Sequence, residues 1–115
     1  MLNLIFLYKD YLSSVLINFL FSQKFNVFFT TYLSANSIEF IDGKFDVFFI
    51  VLPSDNSYDF VKLILFLSLL SKPIILLDYL PSHDKKLFVS KFSNFFYMTP
   101  PINFLLLTKF LKSIN

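Results

Sequence analysis

Residues 45–53 read FDVFFIVLP, and the fold turns on how the middle of that run is read. From Val47 to Leu52 every residue is apolar, and β-branched and aromatic types dominate, which suits an extended strand. A surface helix would show a polar face within two turns, and none appears before Pro53 stops the run. A strand that is apolar at successive positions has both faces covered, as in the middle of a parallel sheet layered between helices. Residues 45–52 are therefore expected to form an inner strand whose neighbours in sequence alternate with helices.

The rest of the chain alternates in that way. Residues 2–8, LNLIFLY, are an apolar run of strand length. Asp10 is placed to cap a helix in which Ser13, Ser14, Asn18 and Ser22 recur every three or four residues as one polar stripe. Residues 26–32, NVFFTTY, read as a second strand, and Ser34 can cap a short helix, SANSIEFID, closed by Gly43. Asp55 or Ser57 can open the helix YDFVKLILFLSLL, followed by a strand at 73–77, PIILL. SHDKKLFVSKF supplies the next helix, FFYMT the fifth strand, and Asn103 caps NFLLLTKFLKSI. Five strand–helix units in 115 residues predict a single domain, residues 1–115, of α/β class. The expected architecture is a flavodoxin-like three-layer sandwich with a five-stranded parallel sheet in order 2-1-3-4-5 and helices on both faces.

Composition constrains the surroundings of that domain. Hydrophobic residues make up 56% and aromatics 21%, including 18 Phe, while only 16% of residues are charged. That surplus is more than a small globule covers with a charged coat, so part of it is expected to meet a partner. The helix around residues 63–67 is apolar nearly all round, which makes Leu63, Leu65, Phe66, Leu69 and Leu70 candidates for a protein interface. No stretch is long, apolar and charge-free enough for a membrane-spanning helix, and no basic segment followed by a cleavable apolar one opens the chain. The chain has ten Lys, no Arg, one Gly and no Cys. This bias looks like A+T-rich coding in an organelle genome or a reduced symbiont.

Chemistry in a sheet of this kind gathers beyond the carboxyl ends of the strands. The residues expected there are Tyr8, Lys9 and Asp10, then Val51 to Asp55, Asp78 and Tyr79, and Thr99 to Pro101. They include no thiol, no glycine-rich phosphate loop and no nucleophile elbow, so neither catalysis nor a cofactor is expected. Asp10, Asp55 and Asp78 could converge on a divalent cation, but caps and turns account for them and no metal site is expected. His83 reads as a solvated residue at a helix start. Lys85, Lys86, Lys91, Lys109 and Lys112 make the last two helices the most basic part of the chain, a solvated face or, alternatively, a contact for RNA phosphates.

The layout resembles a response-regulator receiver domain over its whole length. The intervals from Val51 to Pro73 and from Pro73 to Pro101 match the receiver pattern without gaps, and YMTPP at 97–101 is similar to the receiver's Tyr-Leu-Thr-Lys-Pro. The functional positions do not carry over. The acidic pair after the first strand falls on Tyr8 and Lys9, the phosphoryl acceptor on Val51, the Ser/Thr after strand four on Asp78, and the Lys before the last proline on Pro100. A working receiver is therefore excluded.

The chain also resembles the bacterial-type small-subunit ribosomal protein two family, whose core is flavodoxin-like. FDVFFIVLP is similar to that family's Pro-Asp-x-x-Phe-Val-x-x-Pro at Asp46, Phe49 and Pro53. KPIILLDYLP matches a second segment at Pro73 and Asp78, and YMTPPIN a third at Tyr97, Pro100 and Asn103. With the apolar surplus, this resemblance implies a non-enzymatic structural component of a mitochondrial ribosomal small subunit, on the matrix side. Its partners would be neighbouring ribosomal proteins and rRNA, with no small-molecule substrate. The receiver resemblance implies an alternative, a degenerate interaction domain without phosphoryl transfer. An accessory subunit of another organellar complex is a third expectation.

Overall fold

A computed structural model describes residues 2–8, 13–31, 44–55 and 58–114. Five strands lie in it, β1 (Leu2–Tyr8), β2 (Phe25–Thr31), β3 (Val47–Val51), β4 (Ile74–Leu77) and β5 (Phe95–Met98). Every pairing is parallel and the order is β2-β1-β3-β4-β5, as the alternation of elements predicts. Among the described residues four helices accompany them: α1 (Ser14–Phe21), α2 (Phe60–Ser68), α3 (His83–Val89) and α4 (Phe104–Ile114). The fold is flavodoxin-like.

The alternation of side chains along β3 divides the interior in two. Phe48 and Ile50 join Ile5, Leu7, Ile74 and Leu76 beneath α2 and α3, through Leu63, Ile64, Leu67 and Val89. Val47, Phe49 and Val51 join Leu4, Phe6, Ile75 and Leu77 beneath α1 and α4, through Leu16, Leu20, Leu107 and Leu111. In-register pairing sets Phe29, Phe6, Phe49, Ile75 and Phe96 in one row across the sheet. Phe6 stacks on Phe49 with ring centroids 4.8 Å apart, and Phe96 stacks on Phe110 of α4 at the same separation.

Short polar side chains start the helices. Ser13 accepts the amide of Leu16 and Ser82 that of Lys85, while Asn103 accepts that of Leu106, as expected of Asn103. α2 departs from expectation: Asp59, not Asp55 or Ser57, caps it by accepting the amide of Lys62. α1 likewise has Ser13 at its cap, and Asp10 lies outside the described residues, as do the segment SANSIEFID and Gly43. After α2 the chain turns through Ser71 at φ 53°, a left-handed conformation usually left to glycine, in a sequence with one glycine. The Pro100–Pro101 peptide is cis.

α2 is not apolar on every side in the sense expected. Leu63 and Leu70 are buried against the sheet and belong to the core, which removes them from the candidate interface. The helical repeat puts Leu63 with Ile64 and Leu67 on one face, whereas Leu65 and Leu69 point outward and Phe66 is half-buried.

The row through β3 generates a stability expectation. Phe49→Ala should lower unfolding free energy by about 3–5 kcal/mol, because the site is closed on all sides. Leu105→Ala on the outer face of α4 should stay within about 0.5 kcal/mol of the parent. Urea denaturation followed by circular dichroism measures both.

Candidate functional site

The carboxyl ends of the strands are largely closed by apolar groups. Val51, Leu52 and Pro53 are buried at the end of β3, and the amide of Leu52 continues the ladder by donating to the carbonyl of Leu77 (2.9 Å). One charged group sits among them. Asp78, directly after β4, is fully buried. A carboxylate in such a position is strongly penalised unless every oxygen is engaged.

Three partners meet that requirement. The Oδ1 atom of Asp78 accepts the amide of Leu80 at 2.9 Å, the turn expected of Asp78 from sequence. Oδ2 accepts the hydroxyl of Tyr97 and lies 3.4 Å from Nζ of Lys85. Lys85 in turn donates to the carbonyl of Leu80 at 2.8 Å and lies 5.1 Å from the ring centre of Phe60, so its ammonium is held between α3, the turn and α2. The amide of Asp78 donates to the carbonyl of Met98, tying the same residue to the end of β5. One carboxylate therefore links β4, β5 and α3.

Two tyrosines border this group. Burial first, then the charges of Asp78 and Asp55, push the Tyr58 hydroxyl up to about 12. Burial also raises Tyr97, reinforced by its hydrogen bond to Asp78, the Asp78 charge and Tyr58. Both rings stay protonated, and Tyr97 serves as a donor to Asp78. The Tyr58 hydroxyl is buried and has no hydrogen-bond partner among the described residues.

The residues singled out from sequence are dispersed. Asp55 is exposed, Asp78 is engaged as described, and Lys9 and Asp10 lie outside the described residues. Among the described residues no group of three or more His, Asp or Glu side chains is gathered as metal ligands. His83 is exposed at the start of α3. Of the five lysines, Lys86, Lys91, Lys109 and Lys112 are exposed, and Lys91 lies over the Phe88 ring at 5.5 Å. Lys85 and Lys86 ride on α3 and Lys109 and Lys112 on α4, helices that cover opposite faces of the sheet. Asp46 lies at the other end of the sheet, where its carboxylate accepts the amide of Asn3 at 2.8 Å. No helix of the described residues is long and apolar enough to cross a membrane.

Two measurements follow from the group around Asp78. Lys85→Met and Tyr97→Phe should each lower stability by about 1–3 kcal/mol, since each leaves a buried carboxylate short of a donor, whereas Lys86→Met should be neutral. The raised tyrosines hold protons in the folded chain that the unfolded chain releases at the ordinary value of 10.0. Their contribution is complete below pH 10; that of Tyr58 is lost as pH rises from there through about 12, and that of Tyr97, raised further, is lost in the same direction at higher pH. Denaturation midpoints should fall across that window, and Tyr58→Phe should flatten the fall.

No protein-family model and no curated protein sequence matches the chain. Solved structures share its fold. A pilus assembly-related protein from Burkholderia pseudomallei matches with a TM-score of 0.74 at 19% identity, over 99% of this chain and 89% of that one. A two-component response regulator from Clostridium difficile matches with 0.70 at 16% identity, over 99% and 95% of the two chains. The receiver domain of NtrC4 from Aquifex aeolicus matches with 0.67 at 18% identity, over 99% and 93%. These neighbours correct the expectation of a ribosomal, rRNA-binding translation protein. The motif matches behind it have a local cause, since Asp46 holds the start of β3 to β1 and Pro53 follows the strand's end. The resemblance to receivers is the one that the solved structures share, and at these identities it is a resemblance of fold.

Proposed function

We propose that this chain is a receiver-like protein-interaction domain that performs no phosphoryl transfer. The observation that carries the reading is the state of the strand ends. Val51, buried, stands where the receiver resemblance puts the phosphoryl acceptor, and Asp78 stands where it puts the Ser/Thr. Transfer to a receiver requires a carboxylate nucleophile beside a metal ion that gathers the phosphoryl oxygens. Val51 has no atom that could attack phosphorus. The Asp78 carboxylate is turned to Leu80, Tyr97 and Lys85, and its Tyr97 and Lys85 contacts fix the end of β5 and the first turn of α3 to β4.

What remains of such a domain is its surface. Val61, Leu65 and Leu69 on α2, Val15 and Phe21 on α1, and Leu105 and Leu106 on α4 are all exposed. Apolar groups left exposed on the helices of both layers support association with protein, the role that the receiver-like reading assigns.

Incubation with acetyl phosphate and Mg²⁺, followed by intact-mass measurement, should show no phosphoryl adduct. Hydrogen exchange across residues 78–99 should be the same with and without the donor. An adduct, or altered exchange in that segment, would overturn the reading. Restoring a carboxylate by Val51→Asp should cost about 3 kcal/mol or more of stability without creating an adduct, because the side chain enters a closed apolar site.

A further inference from the structure

The phenylalanines exposed among the described residues, Phe21, Phe28 and Phe29, are 59%, 47% and 36% exposed and all lie at one edge of the sheet. β2 is that edge, with β1 on one side and, among the described residues, no strand on the other. Phe29 carries Phe21 of α1 on one face, with ring centroids 5.7 Å apart, and Phe28 meets Phe45 on the other at 5.4 Å. A strand with a single neighbour turns half of its amides and carbonyls outward, a template for another extended strand unless something blunts it. The usual guards are missing from β2. From Phe25 to Thr31 its seven residues include no charge, no proline and no glycine. The opposite edge is guarded. β5 is four residues long, and after Thr99 come Pro100 and Pro101, which have no amide to donate.

We infer that β2 pairs antiparallel with β2 of a second copy of the chain, about a two-fold axis at Phe28 perpendicular to the sheet, joining the two sheets edge to edge. The strand's own sequence selects that occupant. Residues directly opposite in an antiparallel pair point to the same face. Turned about Phe28, Asn26 falls opposite Thr30 and Val27 opposite Phe29, so polar meets polar and apolar meets apolar, with Phe25 and Thr31 closing the ends. Centring the axis on Val27 or on Phe29 would instead set Asn26 or Thr30 against Phe28 and shorten the pairing. An axis perpendicular to the sheet keeps the α1 layers of both copies on one side. Phe29 of each copy then lies diagonal to Phe29 of the other, within reach of an aromatic contact, and continues the run of rings through Phe6 and Phe49. The pairing uses up both unguarded edges and leaves β5 at either end, so assembly stops at two copies. The contact is small beside the roughly 800 Å² that each partner of a standard interface buries, so the dimer is reversible and forms with rising concentration. This assignment deepens the interaction reading above and rests on it, naming one partner of the domain.

Sedimentation equilibrium and hydrogen exchange on the full chain, from low to high micromolar concentration, provide the test. A reversible dimer is expected, and exchange should slow with concentration at residues 25–31 but not at residues 104–114. Phe28→Lys should raise the dimer dissociation constant by roughly tenfold or more, because it sets two like charges opposite each other at the axis. Leu105→Lys, on the exposed face of α4, should leave it unchanged. Phe28 also touches Phe45, so the exchange measured on the unaltered chain decides the matter should that variant lose stability. A monomer at every concentration, which would leave the edge to a strand of another protein, overturns the assignment. So does growth beyond two copies, a dimer whose residues 25–31 exchange at unchanged rates, a dimer indifferent to a folded Phe28→Lys chain, or one lost with Leu105→Lys. None of those results bears on phosphoryl transfer, which is decided by the mass measurement.

Discussion

Because β3 lies inside the sheet with Val47, Phe49 and Val51 on one side and Phe48 and Ile50 on the other, its side chains need helices on both sides. Its backbone must likewise find partners in β1 and β4. Those two demands set the order of the sheet. A parallel neighbour is reached only through a crossover, and right-handed crossovers from β1 and β3 put α1 beneath one face and α2 beneath the other. The Phe6–Phe49 stack and its continuation to Phe96 and Phe110 are the packing consequence on the α1/α4 side. The apolar bias of the sequence is thus absorbed in two layers, and among the described residues a remainder is exposed on the helices, on β2 and at Leu80.

A second demand comes from Asp78. A fully buried carboxylate destabilises a fold unless its donors are fixed in place, and removing any one of them is costly. Here the donors come from a turn, from β5 and from α3, so the group acts as a clamp on three elements where the sheet meets its outer loops. The same geometry leaves Lys85 spoken for. It is the one of the five C-terminal lysines whose ammonium bonds inside the domain among the described residues, which separates it chemically from Lys86, Lys109 and Lys112.

Much of the fold was legible in the sequence because strands buried on both faces declare themselves as short uninterrupted apolar runs. LNLIFLY corresponds to β1 residue for residue, and PIILL differs from β4 only by its proline. Helix starts were less legible where several capping residues compete. SDNSYD offers Asp55, Ser57 and Asp59, and tertiary packing chooses Asp59 because Leu63, Ile64 and Leu67 must then face the sheet. At the site, the turn made by Asp78 was readable from its place between IILL and YLPS. Its union with Tyr97 was not, for the two residues are 19 positions apart and meet only when β4 and β5 pair. A clue was present in KPIILLD: a lone acid ending a fully apolar strand requires a donor nearby, and the first turn of the following helix carries Lys85 and Lys86. The family resemblances divided for a related reason. Motif residues such as Asp46 and Pro53 answer to the local needs of a parallel strand, whereas the gapless intervals between strands follow the whole architecture.

The clamp at Asp78 also bears on how such a domain could be governed. Signalling scaffolds respond to a modification because two arrangements of the same elements lie close in free energy and the modification tips the balance. With β4, β5 and α3 drawn onto one buried carboxylate, that second arrangement is penalised before any signal arrives. On the proposed function, occupancy of its partners then follows mass action alone. On that reading, docking would depend on the concentrations of the domain and its partner, with no phosphoryl group to tip it.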